Sequence, residues 1–530
     1  MKKTMKQHSF TSQLKSLAVV FGIALTFTSC ANEDVAQNPT NPNEDNDKNL
    51  TTFVAGDETK TRTSIDYNSG DFYWEEGDHI YVKDDDGVWQ RNSNAPTGKV
   101  ASFKFKVPGK FTASTNYKVY YLGKYGWGQM IEISNEQTQT APDNTEHFGT
   151  SGDYGTATAT KITGKQQFQF TLEHQPAYLV FQPYTNSPVL HNCYLTKIEV
   201  ISDNDIAESY RINTSTDNLD AFFSGKQIVL KTKSTSGAYI NGFPLTNNAA
   251  SRTTNGAYMV IKPGTHTLKV RYWVKDLVTE VEGAITKSLP STNYASNTYY
   301  DVTANLNVKD YDGDHYYMWD AQDQYWKGHE WNKGGSQPTL NYNTPGSAPS
   351  SDLPQSGDTR YYNTTYPGYG MSYSATHASC KDLPNVNEMT WYAAKGDPRW
   401  DNDELWTTMG HLYRGGMWFK KKAYISGYNK NTAVDGVDWR PISKSQNWSV
   451  SFTLPSATEI SNYFYLPALG YYMSSVYPSQ PGVIGSAGFY WSSSAFSGWS
   501  DYAYFLDFGP SGVSVHGYQR GGGMRVAAFK

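Results

Sequence analysis

From Phe53 to Val308 apolar and polar residues alternate in short runs, and Gly, Asp, Asn and Pro separate one run from the next. Successive side chains of a strand point to opposite faces, so a period of two is the signature of a half-buried strand. The pattern predicts strands at Phe72-Tyr73-Trp74, His79 to Val82, Ala101 to Val107, Tyr117 to Leu122, Gln167 to Leu172 and Ala177 to Phe181. A second series follows a break near Tyr184 to His191: Leu195 to Ile201, Gln227 to Leu230, Ala257 to Ile261, Thr267 to Val274 and Tyr299 to Val302. Short strands at regular spacing predict two all-β sandwiches, residues 51–185 and 186–308.

Beyond residue 308 the pattern changes. Segment 309–370 reads as a connection ending in a long loop, WNKGGSQPTLNYNTPGSAPSSDLPQSGD, with Trp319, Tyr325, Trp326 and Trp331 packing against the start of the next domain. The DYDGD at 310–314 imitates a calcium loop, but His315 and Ala321 stand where the template needs Gly and Glu, so it is read as a solvated turn. Residues 371–530 mix helix and strand. Val386, Met389, Tyr392 and Ala393 recur at helical spacing, Asn385 caps the start, and Gly396 with Pro398 ends the helix. A second helical turn is expected over Glu404 to Met409, ended by Gly410, and Ser456 with Glu459 forms a capping-box pattern for a third.

The strands of this domain are expected at LYRGGMWFKKK, FYLPALGYY, GFYWSSS, YAYFLDF, GVSVHGY and MRVAAF. In the last of these ribbons Tyr504, Leu506 and Phe508 share one face, and Phe505 and Asp507 share the other. Val513 and Val515 point inward and leave Ser514, His516 and Tyr518 outward. The ribbon is rich in Tyr, Trp, Ser and Gly, the composition of recognition loops, in which rigid amphipathic rings supply contact area and small residues keep the backbone adaptable.

Composition narrows the classes. Aromatic residues make up 15% of the chain, with 41 Tyr, while long helical periodicity is scarce, a balance that fits secreted β-rich domains. The formal net charge is −5 and no basic run follows the N-terminal segment, so nucleic-acid binding has no electrostatic footprint. That N-terminal segment carries lysines at 2, 3, 6 and 15, then LAVVFGIALTF, then Phe27-Thr28-Ser29-Cys30: a charged region, an apolar region and a small-residue cleavage site. No later segment approaches 18 consecutive apolar residues, so a membrane-spanning helix is not expected. Residues 31–50 are acidic and rich in Asn and Pro, with nothing to bury, and read as a disordered tether. Only Cys193 and Cys380 follow Cys30, which indicates neither a disulfide framework nor a CxxC zinc site.

Three resemblances sharpen these expectations. The stretch ending at Cys30 resembles a bacterial lipobox, with Phe27 where an aliphatic residue is usual, and the acidic residues after it resemble the surface-export signal of Bacteroidetes lipoproteins. Residues 1–30 are then a lipoprotein signal peptide, Cys30 is the lipidation site, and the protein is anchored in the outer membrane facing outward. Thr61-Arg62-Thr63 followed by Trp74, Gly77 and Asp78, together with FTLEHQPAYLVF at 170–181, resembles the fimbrillin-like proteins of Bacteroidales. That family implies two transthyretin-like sandwiches, a role as pilus subunit or surface adhesin, and Arg62 as a candidate processing position. KGDPRW at 395–400, GHLYRGGMWF at 410–419, FYLPALGYY at 464–472 and YWSSS at 490–494 resemble the C-type lectin fold of formylglycine-generating-enzyme-like domains and of diversity-generating retroelement variable proteins. In that family the last strands and their loops hold the ligand. Carried over residue by residue, the candidates are Phe496, Ser497, Trp499, Ser500, Asp501, Phe505, Asp507, Ser511, Ser514, His516, Tyr518 and Gln519, with Tyr490, Trp491, Leu506, Val513, Val515 and Arg525 as scaffold.

Catalysis lacks its chemistry in this chain. Formylglycine-type oxidation needs a cysteine pair, and only Cys380 lies in the domain. The calcium-dependent sugar motifs EPN, QPD and WND are missing, as are GxSxG, HExxH, P-loop and dinucleotide fingerprints. The expectation is a mainly β protein: two sandwiches followed by an α+β C-type-lectin-like head at 371–530. It has no enzymatic role and no cofactor or metal, and its partner is a protein or glycan on host, phage or other bacteria. The alternative is a structural or tip subunit of a fimbrillin-type pilus, bound to other pilus subunits.

Overall fold

The computed structural model describes residues 5–9, 49–55, 64–66, 71–124, 130–213, 215–333, 350–473 and 477–529. Cys30, Arg62 and most of the tether lie outside the described residues. Strand accounts for 44% of the structure and helix for 7%, so the mainly β expectation holds. Two compact units divide the chain: Met1–Tyr184 with Leu195–Tyr272 and Thr286–Asn305, and Thr185–Tyr194 with Trp273–Ile285 and Leu306–Lys530.

In the first unit, Leu50–Ala55 runs antiparallel to Phe103–Pro108 and parallel to Gln167–Phe170. Asn116–Tyr121, Gly155–Lys161, Ile80–Lys83 and Trp89–Arg91 complete that sheet. Its alternate residues Phe53, Phe105, Val119 and Phe168 close over Trp74, which is fully buried. Trp74 meets Phe105 and Tyr121 edge to face at 4.9 and 5.7 Å, so Trp74 is a core residue. A further sheet pairs Ala177–Tyr184 with Ala257–Ile261 and Thr298–Asn305, and the edge of Thr298–Asn305 is occupied by Met5–Ser9.

The second unit contains the helix Val386–Lys395, closed by a complete capping box: Asn385 accepts from the Glu388 amide, and Glu388 accepts from the Asn385 amide at 2.9 Å. Beside it lie a four-stranded sheet (Lys309–Asp310, Arg399–Thr408, His411–Lys420, Tyr463–Pro467) and a six-stranded one (Tyr316–Tyr317, Met524–Arg525, Gly488–Ala495, Tyr502–Gly509, Gly512–Gln519, Gln446–Trp448). The helical turn expected at Glu404 to Met409 is instead the end of Arg399–Thr408. A bulge between Asp401 and Leu405, where the Asp401 carboxylate accepts the amides of Asp403 and Glu404, breaks the alternation and produces helix-like spacing. Met409 and Gly410 both have positive φ, 46° and 80°, and form the two-residue turn between Thr408 and His411. Gly410 thus closes a hairpin and does not end a helix. The Ser456 to Glu459 pattern forms a side-chain-closed turn, Ser456 Oγ donating to Glu459 at 2.7 Å, before a short 3-10 turn at Ile460–Asn462.

The segment read as a connection supplies core. Tyr316, Met318, Tyr325 and Trp326 are buried with Trp406, Tyr413 and Tyr472, and Trp319 is buried with Cys380, Trp491 and Phe505. The six-stranded sheet is consequently covered on both faces over much of its area.

Candidate functional site

Tyr502–Gly509 and Gly512–Gln519 form a hairpin in which Ala503 faces Tyr518, Phe505 faces His516 and Asp507 faces Ser514. Residues of the other parity, Tyr504, Leu506, Phe508, Val513 and Val515, enter the core against the helix. The division of faces expected from alternation is therefore present. What lies over the second face is not as expected: Phe505 is only 1% exposed, boxed by Trp491 at 6.0 Å, Tyr518 at 5.8 Å and His516 at 4.2 Å between ring centroids. Phe505 belongs to a buried cluster with Trp319 and Met524, because Trp319, Ala375 and Cys380 pack onto that face. As an outward contact residue it is corrected.

Phe496 and Ser497 are corrected in the same way, at 6% and 3% exposure. A Cβ built on Gly517 would fall 2.4 Å from the Phe496 ring, so the glycine lets that ring lie flat on the strand. The remaining candidates fall into three places. Asp507, Ser514, His516 and Tyr518 lie half-buried on the second face of the hairpin. Trp499, Ser500 and Asp501 form an exposed loop next to Gln519, whose register partner is Tyr502. Trp499, 59% exposed, stacks on Phe496 at 5.7 Å and tilts against Tyr502 at 4.8 Å. Ser511 sits in the turn at the far end of the hairpin, about 23 Å away along an eight-residue strand. The twelve residues therefore do not converge on one site.

The first group carries the most chemistry. His516 Nε2 lies 3.0 Å from Asp507 Oδ1, an imidazole–carboxylate pair on a floor of rings. Two residues missed by the sequence reading extend that floor: Phe489, whose register partner is Asp507, and Tyr471, 4.2 Å from Phe489 and 6.2 Å from Tyr518. Phe489 was accessible from alternation, since it shares parity with Trp491 in Gly488–Ala495. Tyr471 was not, because it comes from another part of the sheet. The result is a row of part-exposed rings, Tyr471, Phe489, His516 and Tyr518, with one carboxylate and buried support beneath. Such a surface can stack on an apolar ring face and hydrogen-bond at its edge.

The hairpin is held by Arg520, which is fully buried. Its guanidinium lies 4.4 Å from the Trp319 ring centre and donates to the carbonyls of Tyr502, Asn363 and Thr365 at 3.0, 2.7 and 2.9 Å. Burial pushes its pKa down to about 10, still charged at neutral pH. Asp320, also fully buried, accepts the amides of Thr376 and His377 and the Asn363 side-chain amide. These two residues tie the 363–377 loop beside the hairpin. Cys380 is buried, its thiol pushed up to about 12 by desolvation, so it is not a thiolate at neutral pH. Among the described residues no group of three or more His, Cys, Asp or Glu side chains is arranged to hold a metal, and no helix is long and apolar enough to cross a membrane.

No protein-family model matches the chain. No curated protein matches it either. Among solved structures, a candidate cell adhesion protein of Bacteroides ovatus aligns at 13% identity and TM-score 0.30, covering 49% of this chain and 93% of its own. The fimbrial anchor protein Mfa2 of Porphyromonas gingivalis aligns at 13% identity and TM-score 0.22, covering 46% and 83%. A fimbrial protein of Bacteroides ovatus aligns at 11% identity and TM-score 0.23, covering 90% and 98%. Likeness of this size assigns neither ligand nor partner.

Proposed function

We propose that the chain is a lipid-anchored, cell-surface adhesin or receptor whose C-terminal unit is a C-type-lectin-like binding head and whose N-terminal part is a fimbrillin-like stalk. The observation that carries this reading is the row of part-exposed rings at Tyr471, Phe489, His516 and Tyr518 beside Asp507, seated on buried Phe505 and Trp491. Rings fixed by a packed layer present contact area at little entropic cost, which is what an affinity surface needs. The lipobox at Cys30 supplies the anchor, and the resemblance of the head to variable proteins supplies the idea that outward identities are diversified.

The test probes host glycans, phage particles and surface proteins of neighbouring bacteria with the purified chain and with a His516→Ala/Tyr518→Ala variant. Each aromatic anchor at an interface centre contributes about 2 kcal/mol, so the double variant should lose roughly a thousandfold in affinity, less if the two are coupled. A ligand held equally by both proteins removes the site from this face.

One observation favours the alternative, a subunit of a fimbrillin-type pilus. Met5–Ser9 occupies the edge of Thr298–Asn305, yet it lies inside the predicted signal peptide. Cleavage before Cys30 takes this strand away and leaves an unpaired edge, open to a strand from another subunit. A mature chain starting at Cys30 that stays monomeric at high concentration and beside its own surface proteins excludes this reading.

A further inference from the structure

Met130–Ile133, Ala207–Ile212 and Leu219–Gly225 form a three-stranded sheet in the first unit, with Leu219–Gly225 at its edge. Five of the seven residues of that strand are exposed, among them Phe222 at 59% and Phe223 at 50%. We propose that this edge is a self-association surface, on which a second copy of the chain pairs antiparallel through its own Leu219–Gly225.

The strand is an open edge. Among the described residues nothing pairs with its outer side. An edge strand presents unpaired backbone donors and acceptors, and proteins ordinarily blunt it with Pro, Lys or a covering segment. Leu219–Gly225 contains neither Pro nor Lys, and its exposure leaves it without a cover. Two large rings left in water beside an open ladder mark a surface that a partner completes.

A bulge identifies the partner. In the pairing with Ala207–Ile212, Gly225, Phe223 and Asp220 stand opposite Ala207, Ser209 and Arg211, whereas Ser224 and Ala221 stand opposite Glu208 and Tyr210. The register shifts between Ser209 and Tyr210, and Phe222 is the extra residue. The Arg211 guanidinium lies 5.9 Å from the Phe222 ring centre, which puts that ring on the Arg211 face beside Phe223. From Asp220 to Gly225 the side chains therefore take the faces first, second, first, first, second, first, an order that reads the same in both directions. A regular strand laid along this edge loses its match of faces at the bulge, because its own side chains alternate strictly. A second copy running antiparallel keeps the match at every rung. Asp220 meets the partner's Gly225, Ala221 meets the partner's Ser224, and Phe222 meets the partner's Phe223. Two rings from each copy then lie on one continuous face as cross-strand aromatic pairs.

Charge permits this pairing. Over residues 219–226 only Asp220 and Lys226 are charged, and in this register Lys226 falls opposite the partner's Leu219, so no like charges meet. Asp220 is the register partner of Arg211. Nearby, Asp217 pairs with Lys83 and Glu208 with Lys262, each at 2.7 Å. The edge thus carries no excess of one sign that would repel its copy. A fully buried phenylalanine removes about 150–250 Å² from water, so four half-exposed rings contribute about 400 Å². With two short backbones the interface stays below the roughly 1,200 Å² of standard complexes, which gives a weak dimer with Kd on the order of 10–100 µM.

Sedimentation velocity on the purified chain, from about 1 to 300 µM, should show monomer giving way to dimer across that range. Hydrogen exchange over residues 219–225 should slow in step with the dimer. A Phe222→Lys/Phe223→Lys variant changes only exposed rings, so it should keep the wild-type circular dichroism, raise the dimer Kd at least about tenfold, and leave exchange over 219–225 independent of concentration. A wild type that stays monomeric at about 300 µM, a variant that dimerises as the wild type does, or a dimer that leaves exchange over 219–225 unchanged overturns the assignment. Protection confined to Thr298–Asn305 would report pairing at the other sheet edge, so failure here and failure of the pilus alternative are told apart.

Discussion

Replacing Phe505 by Ala tests whether the second face of the terminal hairpin is a surface or an interior. The ring is 1% exposed and has Phe489 and Trp491 at 6.1 and 6.0 Å, with His516 at 4.2 Å. Deleting a buried phenylalanine ring removes its transfer free energy and leaves a cavity, together costing about 3–5 kcal/mol. For a domain of this size each kcal/mol lowers the melting temperature by about 2–4 °C, so the second unit should melt roughly 6–20 °C lower. Phe505→Leu keeps most of the volume and should cost under about 1.5 kcal/mol. Trp499→Ala is the surface control, since its ring is 59% exposed, and it should stay within about 1 kcal/mol of wild type. Near-ultraviolet circular dichroism follows the melt, and hydrogen exchange over residues 502–519 reports whether the hairpin itself loosens. If Phe505→Ala melts with the wild type and exchange over 502–519 does not change, the covering of this face by Trp319, Ala375 and Cys380 is wrong and Phe505 returns to the ligand surface.

Three further outcomes follow from particular groups. Burial pushes the pKa of His147 down to about 4, below its ordinary 6.5, so the unfolded chain takes up the proton first. Its neutral form supports folding above pH 6.5, and stability falls as pH drops from 6.5 through 4 by up to roughly 3 kcal/mol; urea unfolding should show that slope, and His147→Gln should flatten it. Arg520→Met removes donors to three carbonyls and leaves them buried, a loss of about 3–5 kcal/mol, and should expose residues 363–377 to limited proteolysis; protection equal to wild type counts against the clamp. Cys30→Ser should end lipid labelling and release the protein from the membrane fraction, and unchanged fractionation would show that something else anchors it.

Much of the local structure was legible in the sequence because it is local physics. The helix Val386–Lys395 starts where Asn385 and Glu388 can close a capping box and stops beside Gly396. Strands at Ala257–Ile261, Tyr502–Gly509 and Gly512–Gln519 follow from runs of alternating or β-branched residues. The strand at Leu219–Gly225 was not read, since five of its seven residues are exposed and it carries no buried face to betray it.

Sequence by itself thus determined which residues share a face and that the architecture is mainly β. Those properties depend on neighbours a few positions away. Only the tertiary structure decided what lies over each face. Phe505 and His516 are cross-strand partners of the same parity, yet one is interior and the other half-exposed, because Trp319, nearly two hundred residues earlier, packs into the cluster that buries Phe505. The same holds at Arg399–Thr408, where a bulge gave helix-like spacing to a strand whose identity comes from pairing with His411–Lys420 and Lys309–Asp310. Alternation encodes the direction of a side chain, but burial is a property of whatever distant segment arrives to cover it.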